Sequence, residues 1–154
     1  MNPSHTSKRG NSKLAAARRR ARRAAVQALY QWQLARQPIA EIEAQFREEQ
    51  GGKLDLEYFH QLLFGVTRQL DELDQALQEL VSRPLQEVDP VEQAVLRLAA
   101  FELLHRPDIP YRVVINEALD LSKRFGAVES HRFVNGVLDK LAHQVRAVEV
   151  NARR

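Results

Sequence analysis

The sequence predicts an all-α protein of six to seven helices. Apolar residues recur at steps of three and four along most of the 154 positions, which is the period that one face of a helix requires. Proline, glycine and capping residues divide this pattern into segments of helical length. No segment alternates apolar and polar residues over the length of a strand. With 44% hydrophobic residues, the chain can bury the core of one domain or of two small subdomains.

The first predicted helix, residues 13–35, has an apolar side and a cationic side. Its apolar positions share one face because a helix turns about 100° per residue, and they are Leu14, Ala17, Ala21, Ala25, Ala28, Trp32 and Ala35. Five arginines fall within six consecutive positions: Arg18, Arg19, Arg20, Arg22 and Arg23. Arg18 lies at the edge of the apolar stripe, and the other four lie outside it. The preceding residues 1–12 are polar and are predicted to form a disordered basic extension.

Helix-ending residues delimit the remaining helices. Gly51-Gly52 ends the second helix, and Ser82-Arg83-Pro84 breaks the chain after the third. Asp89-Pro90 gives the fourth an N-cap followed by a proline at the first helical position. Gly126 ends the fifth helix, and Gly65 marks a candidate bend within the third. The predicted ranges are 39–50, 55–81, 90–105, 112–125 and 130–148, and residues 149–154 are predicted to be frayed.

The third helix carries a heptad-like stripe. Its apolar residues alternate steps of three and four, as in a coiled coil: Leu56, Phe59, Leu63, Val66, Leu70, Leu73, Leu77 and Leu80. A homodimer would use such a stripe, and so would the central helix of a single-chain bundle. Leu62 and Phe64 widen the stripe beyond a two-stranded seam, which favours the bundle and leaves a homodimer open.

Charge is distributed unevenly along the chain. Residues 1–40 contain nine Lys or Arg and no Asp or Glu, whereas residues 41–154 contain fourteen basic and twenty acidic residues. This pattern is typical of a head that binds a polyanion on a body that meets another molecule. The use of arginine favours binding over a solvated arm of no consequence, because guanidinium groups fork onto phosphates and stack on bases.

Several classes of function lack the residues that they need. Zero cysteines exclude disulfides, thiolate metal sites and cysteine nucleophiles. The five histidines stand at no recognisable metal-ligand spacing, and there is no Walker loop, dinucleotide fingerprint or nucleophile elbow. No apolar run is long enough to span a membrane, and no secretory signal is recognisable. We therefore expect a non-catalytic, cytoplasmic protein without metal, cofactor or membrane segment.

Two groups of residues point to nucleic acid. On a wheel with Leu14 at 0°, Arg19, Tyr30, Arg23 and Gln27 lie at about 140°, 160°, 180° and 220°. An outward aromatic beside cations suits base stacking on single-stranded RNA, although packing of Tyr30 on a neighbouring helix is equally consistent. Five clustered arginines repel one another, so we expect the first turns to fray without tertiary support. A second, weaker basic patch surrounds residues 126–129, and it includes Lys123, Arg124, His131 and Arg132, with Phe133 beside them and Glu129 in the same turn. Taken alone, this patch is also consistent with an ordinary junction between two helices.

A cluster of acids occupies the middle of the chain. Between positions 71 and 92 the only basic residue is Arg83. The cluster reads either as a solvated surface with capping charges or as a dock for a basic protein: Asp71, Glu72, Asp74, Glu79, Glu87, Asp89 and Glu92.

Three separated blocks resemble the NusB family of bacterial transcription antitermination factors. They are RRRARRAAVQALYQWQ near the start, DPVEQAVLRLAAFEL in the middle, and PYRVVINEALDLSKRFG with SHRFVNGVLDKL near the end. The resemblance covers residues 13–147 in order. It implies one domain over residues 13–148, built from two packed helical-bundle subdomains near 13–81 and 82–148. The first helix alone could serve DNA, RNA or a membrane surface, and the resemblance selects RNA.

The resemblance also implies a function and its partners. The family binds boxA-type RNA in ribosomal RNA leaders together with NusE, a protein of the small ribosomal subunit. The pair joins NusA and NusG on RNA polymerase and supports processive transcription. Two alternatives remain. Some RNA methyltransferases carry a domain resembling NusB, and an acidic docking module could bind a protein without touching RNA.

The resemblance assigns roles to particular positions. Arg18, Arg19, Arg20 and Arg22 match the family's N-terminal arginines, and Gln27 and Tyr30 continue along the same side. Glu129 and Phe133 match positions before and within the segment SHRFVNG, so RNA is expected to run from the arginines toward this turn. The NusE-facing surface corresponds in part to the acidic helix start, with Glu92 the best match beside Glu87 and Asp89.

Overall fold

The structure, a computed structural model, describes the backbone of residues 3–152 and the side chains of residues 12–152. Within these residues it contains eight α-helices, two short 3-10 turns and no strand, which confirms the predicted all-α class. The chain divides into two compact units, Met1–Phe64 (unit 1) and Gly65–Arg154 (unit 2). The break at Ser82-Arg83-Pro84, where the resemblance implies a subdomain boundary, lies inside unit 2.

Unit 1 contains α1 (Pro3–Ala35), α2 (Ile39–Gln50), a 3-10 turn (Gly51–Lys53) and the start of α3 (Leu56–Arg68). The helix α1 begins upstream of the predicted start at Lys13. The predicted disordered extension of residues 1–12 stays a prediction, because the side chains of residues 1–11 lie outside the described part of the chain. Arg36 ends α1 with a φ of 54°, a left-handed conformation that stops a helix.

The core of unit 1 combines small residues of α1 with larger ones of α2 and α3. The rings of Phe46 and Phe59 have centroids 5.9 Å apart. Small side chains on α1 allow neighbouring helices to approach closely. Its buried apolar residues are Ala21, Ala24, Ala25, Val26, Ala28 and Leu29 on α1, Ile42 and Phe46 on α2, and Tyr58, Phe59, Leu62 and Leu63 on α3.

The predicted single helix over residues 55–81 is wrong. The structure has two helices there, α3 (Leu56–Arg68) and α4 (Leu70–Gln78). Gln69 separates them with φ −102° and ψ 18°, outside the α-helical region. The steps of three and four continue across this residue, so the periodicity could not reveal the break. Most of the heptad stripe is buried within the chain, which favours the bundle interpretation.

Unit 2 is built around α5 (Pro90–His105). Its residues from Glu92 to Leu103 are all buried, as expected for a helix enclosed by neighbours on every side. It contacts α4, a 3-10 turn (Leu85–Glu87), α6 (Tyr111–Phe125) and α7 (Ser130–Val145). The short α8 (Ala147–Ala152) packs on α7.

Two glycines in unit 2 permit close packing. A Cβ at Gly65 would overlap the ring of Phe101 on α5. A Cβ at Gly126 would lie 2.8 Å from the carbonyl oxygen of Ser122 and 2.9 Å from the hydroxyl of Ser130. Gly126 therefore lets α6 turn tightly into α7, and Gly65 lets α3 accommodate an aromatic ring.

A buried arginine joins several helix ends in unit 2. Arg146, between α7 and α8, donates from Nε to the carbonyl oxygen of Leu103 at 2.9 Å. Its Nη2 donates to the carbonyls of Glu102 at 3.2 Å and Arg106 at 2.9 Å. Its Nη1 donates to the carbonyl of Ile109 at 2.9 Å. The guanidinium thus satisfies carbonyls at the C-terminal end of α5, where the helix dipole also favours a cation.

Glu149 extends this network to α6. Its Oε2 accepts from Arg146 Nη1 at 2.7 Å, and its Oε1 accepts from the backbone N–H of Tyr111 at 2.9 Å. Val150 is also buried. Glu149 and Val150, which the sequence placed in a frayed end, are therefore held by the fold. The predicted frayed end also includes residues 153 and 154, which lie outside the described residues.

We predict that Arg146→Met lowers the free energy of unfolding by about 3 kcal/mol, because several carbonyls and a carboxylate lose a buried charged donor. Urea denaturation measures this change. Arg132→Met is the matched control. Arg132 forms an exposed ion pair with Glu129, and its loss should cost about 0.5 kcal/mol or less. Equal losses for the two variants would show that Arg146 does not organise unit 2.

Candidate nucleic-acid interface

One surface of α1 carries four residues that the sequence predicted to contact RNA. Arg19 and Gln27 are exposed, Tyr30 is 39% exposed and Arg23 is half-buried. Their helical angles span only about 80°, so their side chains share one side of the helix. We call Arg19, Arg23, Gln27 and Tyr30 the outer face of α1. It combines two cations, an amide and an aromatic ring.

Arg22 lies beside the outer face, toward the buried side of α1, and is only 4% exposed. The sequence placed it off the apolar stripe because that stripe was drawn too narrowly. Val26 and Leu29 are also buried, and they lie at about 120° and 60° on the same wheel, on either side of Arg22 at about 80°. This position argues against a direct RNA contact by Arg22.

Tyr58 on α3 holds two arginines of α1. Its side chain is 2% exposed, and the guanidinium carbons of Arg18 and Arg22 lie 4.8 Å and 5.4 Å from its ring centroid. Arg22 also donates from Nη2 to the Tyr58 hydroxyl over a long 3.4 Å. Each cation–π contact contributes about 0.5–2 kcal/mol, most when it is desolvated. One buried ring therefore fixes part of the arginine cluster.

Arg20 has a third environment. It is exposed, and its Nε donates to the carbonyl oxygen of Lys53 at 2.6 Å. Lys53 is the last residue of the 3-10 turn after α2, so this bond attaches α1 to that turn. Tyr58 and the Lys53 carbonyl together provide the tertiary support that a cluster of like charges needs in order to stay helical.

The second predicted patch lies in unit 2, where α6 turns into α7. Lys123 and Arg124 are exposed in the last turn of α6, and Glu129 is exposed immediately before α7. Nε of Arg132 lies 3.2 Å from Oε2 of Glu129 in an ion pair. Phe133 is half-buried in the first turn of α7. The patch thus presents a partly accessible ring among charged side chains.

Sequence reasoning missed a further residue at this patch. The guanidinium carbon of Arg83 lies 5.8 Å from the ring centroid of Phe133, and Arg83 is exposed. No spacing rule connects these distant positions. The only available signal was that Arg83 is the single base among the acids at positions 71–92.

The residues predicted to face a protein partner have two different environments. Asp89 caps α5, since its Oδ1 accepts from the backbone N–H groups of Val91 at 2.9 Å and Glu92 at 3.3 Å, and this confirms the predicted N-cap. Glu87 and Asp89 are exposed. Glu92, the position favoured by the resemblance, is 9% exposed. Glu87 and Asp89 therefore present the accessible negative charge at this helix start.

Some acids of the central cluster have internal partners. Asp74 accepts two bonds from the buried Arg97, at 2.8 Å from Nε and 2.9 Å from Nη2. Glu72 lies 2.8 Å from Nε2 of His105. These contacts join α4 to α5 and give both carboxylates partners within unit 2.

The part of the chain that the structure describes includes no group of three or more side chains that could hold a metal ion. Among the described helices, none has a stretch long and apolar enough to cross a membrane.

The chain is similar in sequence to proteins of one family. A sequence model of the NusB family matches residues 19–143. The chain is 54% identical over 145 residues to the transcription antitermination protein NusB of Alcanivorax borkumensis, covering 94% of this chain and 97% of that protein. It is 57% identical over 132 residues to the protein of the same name from Pectobacterium carotovorum subsp. carotovorum, covering 85% of this chain and 95% of that protein.

Solved structures share the fold. NusB from T. maritima superposes with a TM-score of 0.75 at 34% identity, covering 82% of this chain and 91% of that chain. A chain in a crystal structure of the antitermination factors NusB and NusE in complex with dsRNA superposes with a TM-score of 0.77 at 28% identity. That match covers 83% of this chain and 97% of the other.

We predict that Tyr58→Leu lowers the free energy of unfolding by about 2 kcal/mol, because the arginines lose the ring beneath them and a cavity remains. Tyr58→Phe keeps the ring beneath both guanidinium groups and should cost at most about 1 kcal/mol, since the bond from Arg22 to the hydroxyl is long. Urea denaturation of both variants makes the comparison. If the two substitutions destabilise equally, the hydroxyl rather than the ring holds Arg18 and Arg22.

Proposed function

This chain belongs to the NusB family, and we propose that it is a non-catalytic transcription antitermination factor that binds RNA together with NusE. The similar proteins from Alcanivorax borkumensis and Pectobacterium carotovorum are named transcription antitermination proteins. A similar solved chain belongs to a complex of NusB, NusE and RNA. Family membership indicates the class of function. The observation in this chain that best supports RNA binding is the outer face of α1.

The outer face of α1 has the groups that RNA recognition needs. Arg19 and Arg23 supply the charge that binds phosphates, and phosphate contacts dominate affinity. Tyr30 offers a ring on which an unpaired base stacks. Gln27 has both a donor and an acceptor for a base edge. Arg18 and Arg22 support this surface through Tyr58, while the exposed Arg20 borders it.

The turn between α6 and α7 is the second RNA surface that we propose. Lys123 binds phosphate and Phe133 stacks on a base. Glu129 pairs with Arg132 and keeps lone pairs for the amino group of a base. Each unit of the chain thus contributes residues to RNA binding.

The RNA that we propose is single-stranded, as these residues favour, and of the boxA type in ribosomal RNA leaders, as the family resemblance implies. Aromatic side chains read unstacked bases, whereas a duplex hides them. Because the solved NusB–NusE complex contains dsRNA, binding assays should include a single strand and the matching duplex. Preference for the single strand is the expected result.

NusE is the protein partner that we propose for the start of α5. Glu87 and Asp89 present exposed negative charge there, which attracts a basic protein and accelerates association. Glu92 lies mostly beneath this surface. NusA, NusG and RNA polymerase complete the larger assembly, and such an assembly on nascent RNA acts in the bacterial cytoplasm.

Two other functions fit the observations less well. An RNA methyltransferase would need a catalytic domain, yet the two NusB relatives compared above align with this chain over 97% and 95% of their own length. If the chain were a docking module that does not bind RNA, the outer face of α1 would have no role. Unchanged RNA binding after deletion of residues 1–23 would favour the docking module.

We predict that the double variant Arg19→Ala/Arg23→Ala binds single-stranded boxA-type RNA at least about tenfold more weakly at low salt. Each phosphate contact on a single strand contributes about 0.7 to the slope of log affinity against log salt, so the slope should flatten by about 1.4. Fluorescence anisotropy with labelled RNA over a salt series measures both quantities.

The matched control is Arg36→Ala/Arg47→Ala, which removes two exposed cations of unit 1 that lie outside the outer face of α1. It should keep nearly all of the affinity. Arg22→Met should leave the salt slope unchanged, because Arg22 is buried against Tyr58. If the Arg19→Ala/Arg23→Ala variant keeps the wild-type affinity and salt slope, the outer face of α1 does not bind RNA.

We predict that Glu87→Gln/Asp89→Asn weakens NusE binding by about fivefold, mainly through a slower association rate. Asparagine caps a helix about as well as aspartate, so this variant removes charge while α5 keeps its cap. Surface plasmon resonance gives the rate constants. Glu48→Gln/Glu57→Gln, at two exposed acids of unit 1, is the control. An unchanged association rate in the first variant would contradict the proposed docking surface.

A further inference from the structure

The loop after α4 carries an arginine that the predicted RNA surface does not include. Arg83 is exposed, and its guanidinium carbon lies 5.8 Å from the ring centroid of Phe133 on α7. Guanidinium–aromatic contacts at this distance are attractive. The loop therefore brings a cation to a ring for which we have already proposed a role in base stacking.

The backbone of this loop is held in place. Gln78, the last residue of α4, donates from Nε2 to the carbonyl oxygen of Arg83 at 2.9 Å. Its Oε1 accepts from the backbone N–H of Leu85 at 2.8 Å, and Leu85 is buried. One side chain thus bonds to the backbone on both sides of Pro84. The position of Arg83 is consequently set by the fold.

The guanidinium of Arg83 contacts an aromatic ring although acidic residues lie near it in the sequence. Arg83 is the only basic residue between positions 71 and 92, and Glu79 and Glu87 each lie four positions away. Both acids are exposed, yet the contact that the structure gives for the Arg83 guanidinium is with Phe133. The acidic side chains of this segment repel the phosphates of RNA. The positive charge of Arg83 attracts a phosphate to this part of the surface.

We propose that Arg83 contacts RNA directly and, with Phe133, forms a subsite for one nucleotide. The guanidinium binds the phosphate and the ring stacks on the base. Arginine suits this position because its planar fork binds phosphate oxygens while its face lies against an aromatic ring. The proposal rests on the proposed function, because it extends the RNA surface at the turn between α6 and α7.

The test compares Arg83→Ala with Phe133→Leu in binding to labelled single-stranded boxA-type RNA over a salt series. Loss of a phosphate contact should lower the affinity several-fold and flatten the salt slope by about 0.7 in the arginine variant. Loss of a stacking ring should lower the affinity at least about fivefold without changing the slope. A merely structural role for Arg83 would leave the slope of its variant unchanged.

Arg112→Ala is the matched control, because Arg112 is exposed and its guanidinium carbon lies 5.9 Å from the ring centroid of Tyr111. This pair lies at the start of α6, at the other end of that helix from the proposed subsite, and its loss should not alter RNA binding.

Two results would overturn the proposal without touching the proposed function. Wild-type affinity and slope in Arg83→Ala, while Arg19→Ala/Arg23→Ala is impaired, would show that Arg83 does not contact RNA. A loss seen only when NusE is present would assign Arg83 to the protein interface. By contrast, failure of the wild-type chain with NusE to bind either the single strand or the duplex would refute the proposed function itself.

Discussion

The packing of arginines against Tyr58 is the constraint on which the candidate interface depends. The helix α1 must bury a wide apolar surface and also carry five arginines in six positions. It meets both demands because the buried ring contacts Arg18 and Arg22, while a backbone carbonyl binds Arg20. Two members of the cluster are thereby directed inward, which leaves Arg19 and Arg23 on the side that carries Tyr30. Contacts within unit 1 therefore support the cationic surface.

Unit 2 uses a buried guanidinium in a different way. Arg146 binds carbonyls at the end of α5 and in the following connector, and Glu149 carries the network to the start of α6. Such a charge is stabilising only when hydrogen bonds satisfy it fully. Since α5 is enclosed by its neighbours, this network also fixes the helices that carry the acidic surface and the turn with Phe133. Arginine thus has structural roles in both units as well as the binding role that we propose.

Periodicity and capping residues were sufficient to predict the fold class, most helix ranges and the Asp89 cap. They failed where the outcome depends on contacts between distant positions. The buried side of α1 is wider than its clearest repeat, so Arg22 was placed outside. The helix break at Gln69 leaves the apolar steps intact. The pairs Arg97–Asp74 and Arg83–Phe133 join residues from different elements, and no local pattern encodes them. The proposed site residues were reached from charge, helical angle and resemblance, which identify candidates but do not show which of them bind.

The central claim is that the outer face of α1 binds RNA. Crosslinking of 4-thiouridine-substituted boxA-type RNA to the chain in complex with NusE, followed by tryptic digestion and mass spectrometry, tests it most directly. The account predicts crosslinks in the peptide of residues 24–36, which contains Gln27 and Tyr30, and in the peptide of residues 133–140, which begins with Phe133. Crosslinks confined to other peptides, with none in residues 24–36, would contradict it.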